Sequence, residues 1–458
     1  MIENDAFKLL LINLFHLNPD DIANIFCTTF NKMMVLIVTL ADKHQACPYC
    51  GFTAPKIKEY VTKEITHSAL TTQKCIIKYR ARRYKCPCCG KTYYEFNPFV
   101  FKSQKISILT VHNILKDLKD FNETFTSVAR RYHVSPTSVS TIFDNHVDIG
   151  RNPLPEIINF DEVYAFKSEK SKYVCVLLDF KKQIPVDVLP NRKKEYLLNY
   201  FQKIPLEERK KVKYACSDMY EVYRDVVHKV FPCSCMLLDY FHLSQDFHRK
   251  MNEVRIKVMK GYKDDKASDE YYLLKKFNWL LFKNPEDEDK YGRLFDVERE
   301  RKYNSHFKSY MNYYDLKRKL LKINNDLTIC YSLKLELVDF YSKSTIDNAQ
   351  VNLEHLIRSC IDTNIEEMIA FSNNLINWKQ EIINSFTIVG TEYKVEADKG
   401  QVVVCNKKVN NAIIENRNKI IKCIKNNANG YTNWSRFRNR VMYVLDPNTT
   451  FSLEPREK

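Results

Sequence analysis

The sequence has little glycine and no long apolar run. Only 8 of its 458 residues are glycine. Its longest apolar stretch, Met33–Leu40, is far shorter than the about 20 residues that a helix needs to cross a bilayer. The N-terminus also lacks the basic start of a signal peptide, because Glu3 and Asp5 precede the first apolar run. We therefore expect a cytoplasmic protein with no membrane partner.

The chain is also short of acidic residues, and its cysteines form no regular framework. Lys and Arg total 72 against 56 Asp and Glu, which gives a net charge of +16. An excess of this size is compatible with a polyanion partner and equally with a solvated surface. Several of the 15 cysteines lie in apolar runs, as Cys175 does. This favours buried thiols and metal ligands over disulfides.

Two Cys-x-x-Cys pairs stand out near the start of the chain, Cys47 with Cys50 and Cys86 with Cys89. The short spacing lets both sulfurs of one turn reach the same ion, and two such turns supply the tetrahedral thiolate set of structural zinc. Pro and Gly in both pairs are typical turn residues. We predict a zinc ribbon, with Cys88 outside the ligand set. In a basic chain, such a ribbon favours nucleic acid as the partner.

Between the two Cys pairs, polar and apolar residues alternate from Ile57 to Tyr84. The pattern predicts a basic β-hairpin that can lie along a phosphate backbone, with a solvated hairpin face as the alternative. The candidate DNA contacts are Arg80, Arg82 and Arg83.

Helical periodicity begins at residue 105 and continues to 146. Val134 is predicted in a turn, and Ser135 is predicted to cap a second helix that begins with Pro136. An ordinary helix pair has the same pattern, but the preceding ribbon favours a DNA-binding helix-turn-helix. Its candidate DNA contacts are Thr137, Ser138 and Ser140.

From Ile157 the pattern becomes α/β, with three strands, a helix, a strand, a helix and a strand. This order predicts a ribonuclease H-like core. Residues 243–386 are predicted to be almost wholly helical, with a polar loop at 284–290. One further strand is predicted at Lys399–Cys405 and a helix at 410–425, before a basic tail that contains Trp434.

Together these patterns predict a multidomain chain of α+β and α/β character. The predicted boundaries are an N-terminal helix and strand (1–40), a zinc ribbon (41–100), a helix-turn-helix (101–150), the first part of the ribonuclease H-like core (151–243), a helical insertion (244–390), and the C-terminal helix of the core with its basic tail (391–458).

Acidic residues at strand ends are candidates for a catalytic metal site. Phosphodiester cleavage without a covalent intermediate uses two divalent cations about 3.5–4 Å apart, and oxygen ligands suit magnesium or manganese. Asp161 and Asp218 end predicted strands, and Glu415 on the last helix supplies a third acid. Asp239 also ends a strand, so it is either an accessory ligand or a hydrogen-bonding partner of His242.

These acids lie in blocks that resemble one known family. The segment around Asp161 is similar to its first catalytic block, the segment around Asp218 to its second, Leu238–Leu243 to its Asp-x-Phe-His block, and the segment around Glu415 to its glutamate block. The family is the ISL-three family of bacterial insertion-sequence transposases, and the resemblance covers nearly the whole chain.

The resemblance implies a D-D-E recombinase that nicks the element ends and joins them to target DNA. It implies that Asp161 bridges two magnesium or manganese ions, with Asp218 on one ion and Glu415 on the other. It also implies double-stranded terminal inverted repeats and target DNA as partners, a homodimer on DNA, and a nucleoid-associated bacterial location. Asn416 and Asn191 stand where the family usually has Gly. A non-catalytic DNA-binding protein, either a regulator or an inactivated relative, is the alternative.

Overall fold

The N-terminal part of the chain forms a sheet with a helix on one face. The computed structural model describes residues 2–43, 46–70, 72–101, 104–166, 171–395 and 402–456. The first elements are α1 (Ile2–Leu14), a 3₁₀ turn (Pro19–Asp21), β1 (Ile22–Phe30), β2 (Met33–Leu40), β3 (Lys56–Thr66), β4 (Cys75–Lys85) and β5 (Thr92–Tyr94). The strand order is β1-β2-β4-β3, with β5 also paired to β4. The predicted hairpin of β3 and β4 is confirmed as an antiparallel pair.

The segment before the ribbon contains two strands where the sequence predicts one. Asn31 and Lys32 have φ angles of 49° and 60°, as the two-residue turn of a tight hairpin requires. No glycine occurs at this turn, so the usual sequence signal of a hairpin is missing. β1 and β2 therefore belong to the same sheet as the ribbon hairpin.

Three short helices follow, α2 (Ile108–Asp117), α3 (Phe125–Arg131) and α4 (Pro136–His146). The predicted start of the last one is confirmed: the Ser135 side chain accepts a hydrogen bond from the Ser138 N–H, and Pro136 is the first helical residue. His133 has a φ of 53° in the turn. Val128, Val139 and Phe143 are buried in the shared core of these helices.

A second five-stranded sheet forms the centre of the molecule. Its elements are β6 (Ile157–Val163), β7 (Val174–Asp179), β8 (Pro185–Leu189), α5 (Lys194–Gln202), α6 (Leu206–Arg209), β9 (Tyr214–Ser217), α7 (Glu221–Val230) and β10 (Cys235–Leu238). The strand order is β10-β9-β6-β7-β8. β6, β9 and β10 are parallel, and β7 runs antiparallel to β6 and β8. The predicted succession of strands and helices is confirmed, although β6 continues two residues beyond Asp161.

Helices cover both faces of this central sheet. On one face, Leu197 of α5 and Val226 of α7 pack against Phe160 and Leu177. The other face is covered by two C-terminal helices, α15 (Ala412–Asn427) and α16 (Trp434–Leu445). The predicted basic tail is therefore a packed helix, and the Trp434 ring lies 5.1 Å from that of Phe166.

A large insertion separates β10 from α15. It consists of α8 (Tyr240–Lys260), α9 (Asp269–Lys276), a 3₁₀ turn (Asn278–Phe282), β11 (Glu288–Asp289), β12 (Gly292–Arg293), β13 (Lys302–Asn304), β14 (Ser309–Met311), α10 (Tyr313–Lys322), α11 (Asn325–Lys343), α12 (Ala349–Asp362), α13 (Glu366–Asn377) and α14 (Lys379–Asn384). The loop predicted at 284–290 is confirmed as non-helical, but the prediction of helix is wrong for residues 291–312, and two small hairpins form within 283–312. No helix within the described ranges is both long and apolar enough to cross a membrane.

An antiparallel hairpin leads from the insertion to α15. Its strands are β15 (Ile388–Val395) and β16 (Val402–Lys408). The strand predicted at Lys399–Cys405 corresponds to β16, which begins at Val402, while Lys399 lies outside the described residues.

Candidate active site

The central sheet places three aspartates at one level. Asn159 of β6 pairs with Cys216 of β9, so the acids two residues further along each strand, Asp161 and Asp218, are level with each other. Ser217 pairs with Leu238, which places Asp239 beside Asp218. Parallel strands end at the same edge of a sheet, and ligand sites commonly form there.

Helix α15 brings Glu415 towards this edge, and two asparagines of the same helix attach it to β6. Asn159 donates a hydrogen bond of 2.7 Å to the buried Asn411 side chain. Asn418 donates one of 2.7 Å to Oδ2 of Asp161. Glu415 and Asn418 are three residues apart and share a helix face, so the bond that fixes Asn418 also orients the face that carries Glu415.

Asp239, His242 and Glu415 form the tightest group of the site. One ligand atom from each lies within 4.8 Å of the other two. Nε2 of His242 is 3.8 Å from Oδ2 of Asp239 and 3.9 Å from Oε1 of Glu415. Asp161 and Asp218 are not part of this group. Burial raises the pKa of both, and His242 is near enough to offset part of that rise. The structure thus groups one residue of the predicted triad with both predicted accessory residues.

Burial dominates the electrostatics of the aspartates. It raises the pKa of Asp161 to about 7. The nearby Asp218 also raises this pKa, by more than His242 lowers it. Burial likewise raises the pKa of Asp218 to about 6, with a contribution from Glu162, and it raises the pKa of Asp239. Several carboxyl groups close together in a buried place disfavour full ionisation unless a cation compensates them.

Several polar atoms in this place are buried without a hydrogen-bond partner among the described residues, and they include Oδ1 of Asp218, Oδ2 of Asp239 and Nε2 of His242. Such atoms are costly and call for a bound ion or water. Carboxylate oxygens with one imidazole are a donor set that magnesium or manganese accepts. The residues present therefore fit a divalent cation.

Glu162 lies near Asp218 but outside the group of Asp239, His242 and Glu415. It forms an ion pair with Arg192, and it accepts a hydrogen bond of 3.4 Å from the hydroxyl of Tyr223. Arg192 lies over the rings of Tyr173 and Tyr220, at 4.6 and 4.8 Å. These contacts agree with a structural role for Glu162.

The two asparagines at usual glycine positions fit the backbone without strain. Neither Asn191 nor Asn416 has a positive φ, so neither position needs glycine for its conformation. The buried Asn191 side chain accepts a hydrogen bond of 2.8 Å from the Lys193 N–H, and Asn416 is exposed on α15.

The four predicted zinc ligands converge as the spacing requires. Cys47, Cys50, Cys86 and Cys89 each place a sulfur within 4.8 Å of the others. The Cys47–Cys89 and Cys50–Cys86 sulfur distances are 3.7 and 3.5 Å, close to the about 3.8 Å expected for tetrahedral Zn–S bonds of about 2.3 Å. Cys88 is exposed outside the cluster.

The candidate DNA contacts differ in exposure and in whether their side chains already pair with other residues of the chain. Arg82 is paired with the buried Glu95 at 2.8 Å, and Arg83 with Glu59 at 2.7 Å. Arg80 is exposed and lies over the Tyr60 ring. On α4, Thr137 is exposed and both Ser138 and Ser140 are half-buried.

The amide groups that hold the site together are not evident from the sequence. Asn159 and Asn411 are separated by 252 positions, and no local pattern links them. The spacing of Asn411, Glu415 and Asn418 on one helix is a signal that could have drawn attention to them.

Two comparisons with known proteins identify the family of this chain. A family model of the ISL3 type, described as a transposase, matches residues 158–397, which begin in β6 and end before Glu415. The transposase for insertion sequence element IS1001 of Bordetella parapertussis is 20% identical over 409 residues, which cover 89% of this chain and 90% of that protein. The chain therefore belongs to the ISL3 family of insertion-sequence transposases.

Proposed function

We propose that this transposase cuts and joins DNA strands with a D-D-E site at the edge of the central sheet. The observation that carries the proposal is the convergence of buried acids around His242, with unpartnered oxygens on Asp218 and Asp239. Buried acids with raised pKa values are expected at catalytic sites and are unfavourable elsewhere.

The topology of the central sheet supports a ribonuclease H-like core. β6, β7 and β8 form an antiparallel meander, and β9 and β10 continue the sheet parallel to β6. Helices cover both faces. This arrangement brings acids from β6, β9 and α15 to one edge, although they are far apart in the sequence.

Asp161, Asp218 and Glu415 would hold magnesium or manganese, with Asp239 and His242 as accessory ligands. When bound, the cations activate the nucleophile and stabilise the leaving 3′ oxygen. Asn418 holds one oxygen of Asp161 in place, and the Asn159–Asn411 bond fixes α15 against β6. The chain itself thus fixes the Asp161 carboxylate and the helix that carries Glu415 before any substrate arrives, which is part of the preorganisation that such catalysis requires.

The N-terminal elements would recognise the terminal inverted repeats. The four cysteines would hold one structural zinc ion, and the basic hairpin of β3 and β4 would follow the phosphate backbone. Arg80 and Arg83 are better placed for phosphates than Arg82. Arg82 pairs with the buried Glu95, whereas Arg83 pairs with Glu59, which is exposed. The α3–α4 pair would act as the helix-turn-helix, with Thr137 exposed at the start of its second helix. Two element ends require two active sites, so at least a dimer would act on DNA.

The test is magnesium-dependent cleavage of a duplex that carries the element's own terminal repeat. We expect Asp161→Ala to lower the cleavage rate at least ~100-fold, because a ligand of the catalytic cations is lost, while repeat binding persists. Asp225→Ala is the matched control, because Asp225 pairs with Lys194 at the surface. This variant should cleave at the wild-type rate. Binding without cleavage by the wild type, in magnesium and in manganese, would instead favour a regulator or an inactivated relative.

A further inference from the structure

Strand β1 is an unprotected edge of the N-terminal sheet. It lies at one end of the strand order, and its nine residues include no charged residue and no proline. The strand at the opposite end, β3, has five charged residues among its 11. Charged residues on an edge strand prevent pairing with other chains. One edge of the same sheet is therefore protected and the other is open.

The turn between β1 and β2 determines which backbone groups of β1 face outwards. In a hairpin with a two-residue turn, the flanking residues Phe30 and Met33 form a hydrogen-bonded pair. Because hydrogen-bonded and non-bonded pairs alternate, the N–H and C=O groups of Thr29 and Cys27 point away from β2. These groups can receive another strand.

Helix α1, which packs over β1, has apolar side chains on two faces. Leu11, Ile12 and Phe15 are buried against the sheet. Phe7, Leu10 and Leu14, spaced along a second face, are 53%, 60% and 47% exposed. A helix that is apolar on both faces is typical of one that is covered on both sides.

The face of the sheet opposite α1 is also apolar next to this edge. Phe26 and Phe30 of β1 and Ile37 of β2 are 55%, 63% and 46% exposed, and Phe26 pairs directly with Ile37. With the exposed side chains of α1, they place apolar surface on both sides of the open strand edge, as is typical of a surface that another protein chain covers.

We propose that β1 pairs in antiparallel fashion with β1 of a second copy of this chain. A two-fold axis perpendicular to the sheet preserves its faces. The α1 helices of both copies would then meet on one face, and the Phe26 and Phe30 side chains of both copies would meet on the other. This one arrangement covers the open strand edge, the exposed stripe of α1 and the apolar face of the hairpin.

The charge distribution favours a second copy over DNA or an anionic membrane. β1 has no cation to offer to a phosphate. With a net charge of +16, two copies repel each other over most of their surface, so they can approach best at an uncharged face. The choice of occupant rests in part on the proposed function, because joining two element ends requires two active sites.

The test is the molar mass of the full-length protein without DNA, measured by light scattering over a dilution series. We expect a dimer of the 54.3 kDa chain. Phe26→Lys should raise the dimer dissociation constant at least ~30-fold, because a lysine on each copy enters the centre of the interface. The matched control is Ile57→Lys, an equally simple change at a 46% exposed position of the protected strand β3, which should leave the dimer unchanged.

Hydrogen–deuterium exchange provides a second readout that does not depend on a substitution. Peptides that cover residues 22–30 should exchange slowly when the protein is concentrated and quickly when it is dilute. A wild type that is monomeric throughout the series, or a Phe26→Lys variant as dimeric as the wild type, would overturn the proposal. Neither readout involves DNA or cleavage: a dimeric protein that cleaves nothing would refute the proposed function alone, and a cleaving monomer would refute this interface alone.

Discussion

At the scale of single residues, Asp161 shows how the site lowers the stability of the fold at neutral pH. Burial and Asp218 raise its pKa to about 7. The folded state therefore binds a proton more tightly than the unfolded state does, and the stability contributed by this group falls as pH rises from about 4 to about 7. Without a bound cation, the site opposes folding at neutral pH.

Replacing Asp161 with its neutral isostere should relieve this cost. Asp161→Asn is expected to raise the free energy of unfolding of the magnesium-free protein above pH 7, by up to about 4 kcal/mol, and to have no effect below about pH 4. Urea unfolding of both proteins over this range measures the difference. Added magnesium should stabilise the wild type more than the variant. Parallel pH curves for the two proteins would contradict the argument.

The aspartates of this site could be predicted because local sequence determines their position. Each lies within or directly after a segment whose apolar residues indicate a buried strand, and neighbouring parallel strands bring their corresponding ends together. The asparagines that attach α15 to β6 could not be predicted, because their contacts exist only after the 252-position loop between Asn159 and Asn411 has closed. The contact between His242 and Glu415 could not be predicted either, because only the folded structure brings the two side chains together.

At the scale of elements, the two cysteine turns should depend on zinc for their structure. Among the residues that the structure describes, the small cluster around them has Cys47, Tyr84, Cys86 and Tyr93 as its buried apolar members, too few to hold the turns by packing. Cys50→Ser should lower zinc content from one ion per chain towards none and expose residues 46–95 to proteolysis. Cys88→Ser is the control, because Cys88 lies outside the cluster. Full zinc content in Cys50→Ser would contradict the four-ligand site.

Each element that sequence reasoning missed has its own physical cause. The β1–β2 turn uses Asn31 and Lys32 in a left-handed conformation, which Lys seldom adopts. The hairpins within 283–312 are strands of two or three residues, too short for any periodicity. The sequence predicts a basic tail where α16 lies, whereas Arg440 is almost fully buried and donates to the Asp120 and Glu123 carbonyls.

At the scale of the whole molecule, α16 connects the three-helix unit to the central sheet. Arg436 pairs with Asp144 of α4, and the Tyr443 hydroxyl donates to the Leu115 carbonyl of α2. Arg438 bonds to the buried Asp187 of β8 and to the carbonyl of Ile149. The elements proposed to bind DNA and the proposed catalytic sheet are thus joined through the last helix of the chain.

Within this connection, Arg438 should matter more for stability than Arg436. The side chain of Asp187 is 5% exposed, so Arg438→Ala leaves a buried carboxylate without its cation and should lower the free energy of unfolding by about 3–5 kcal/mol. Arg436→Ala breaks a pair with more exposed side chains and should cost about 1 kcal/mol or less. Urea unfolding measures both. Adding Asp187→Asn to Arg438→Ala should restore part of the loss, since the unpaired charge is removed. Equal losses for the two arginines, with no rescue, would mean that α16 is held by its apolar face alone.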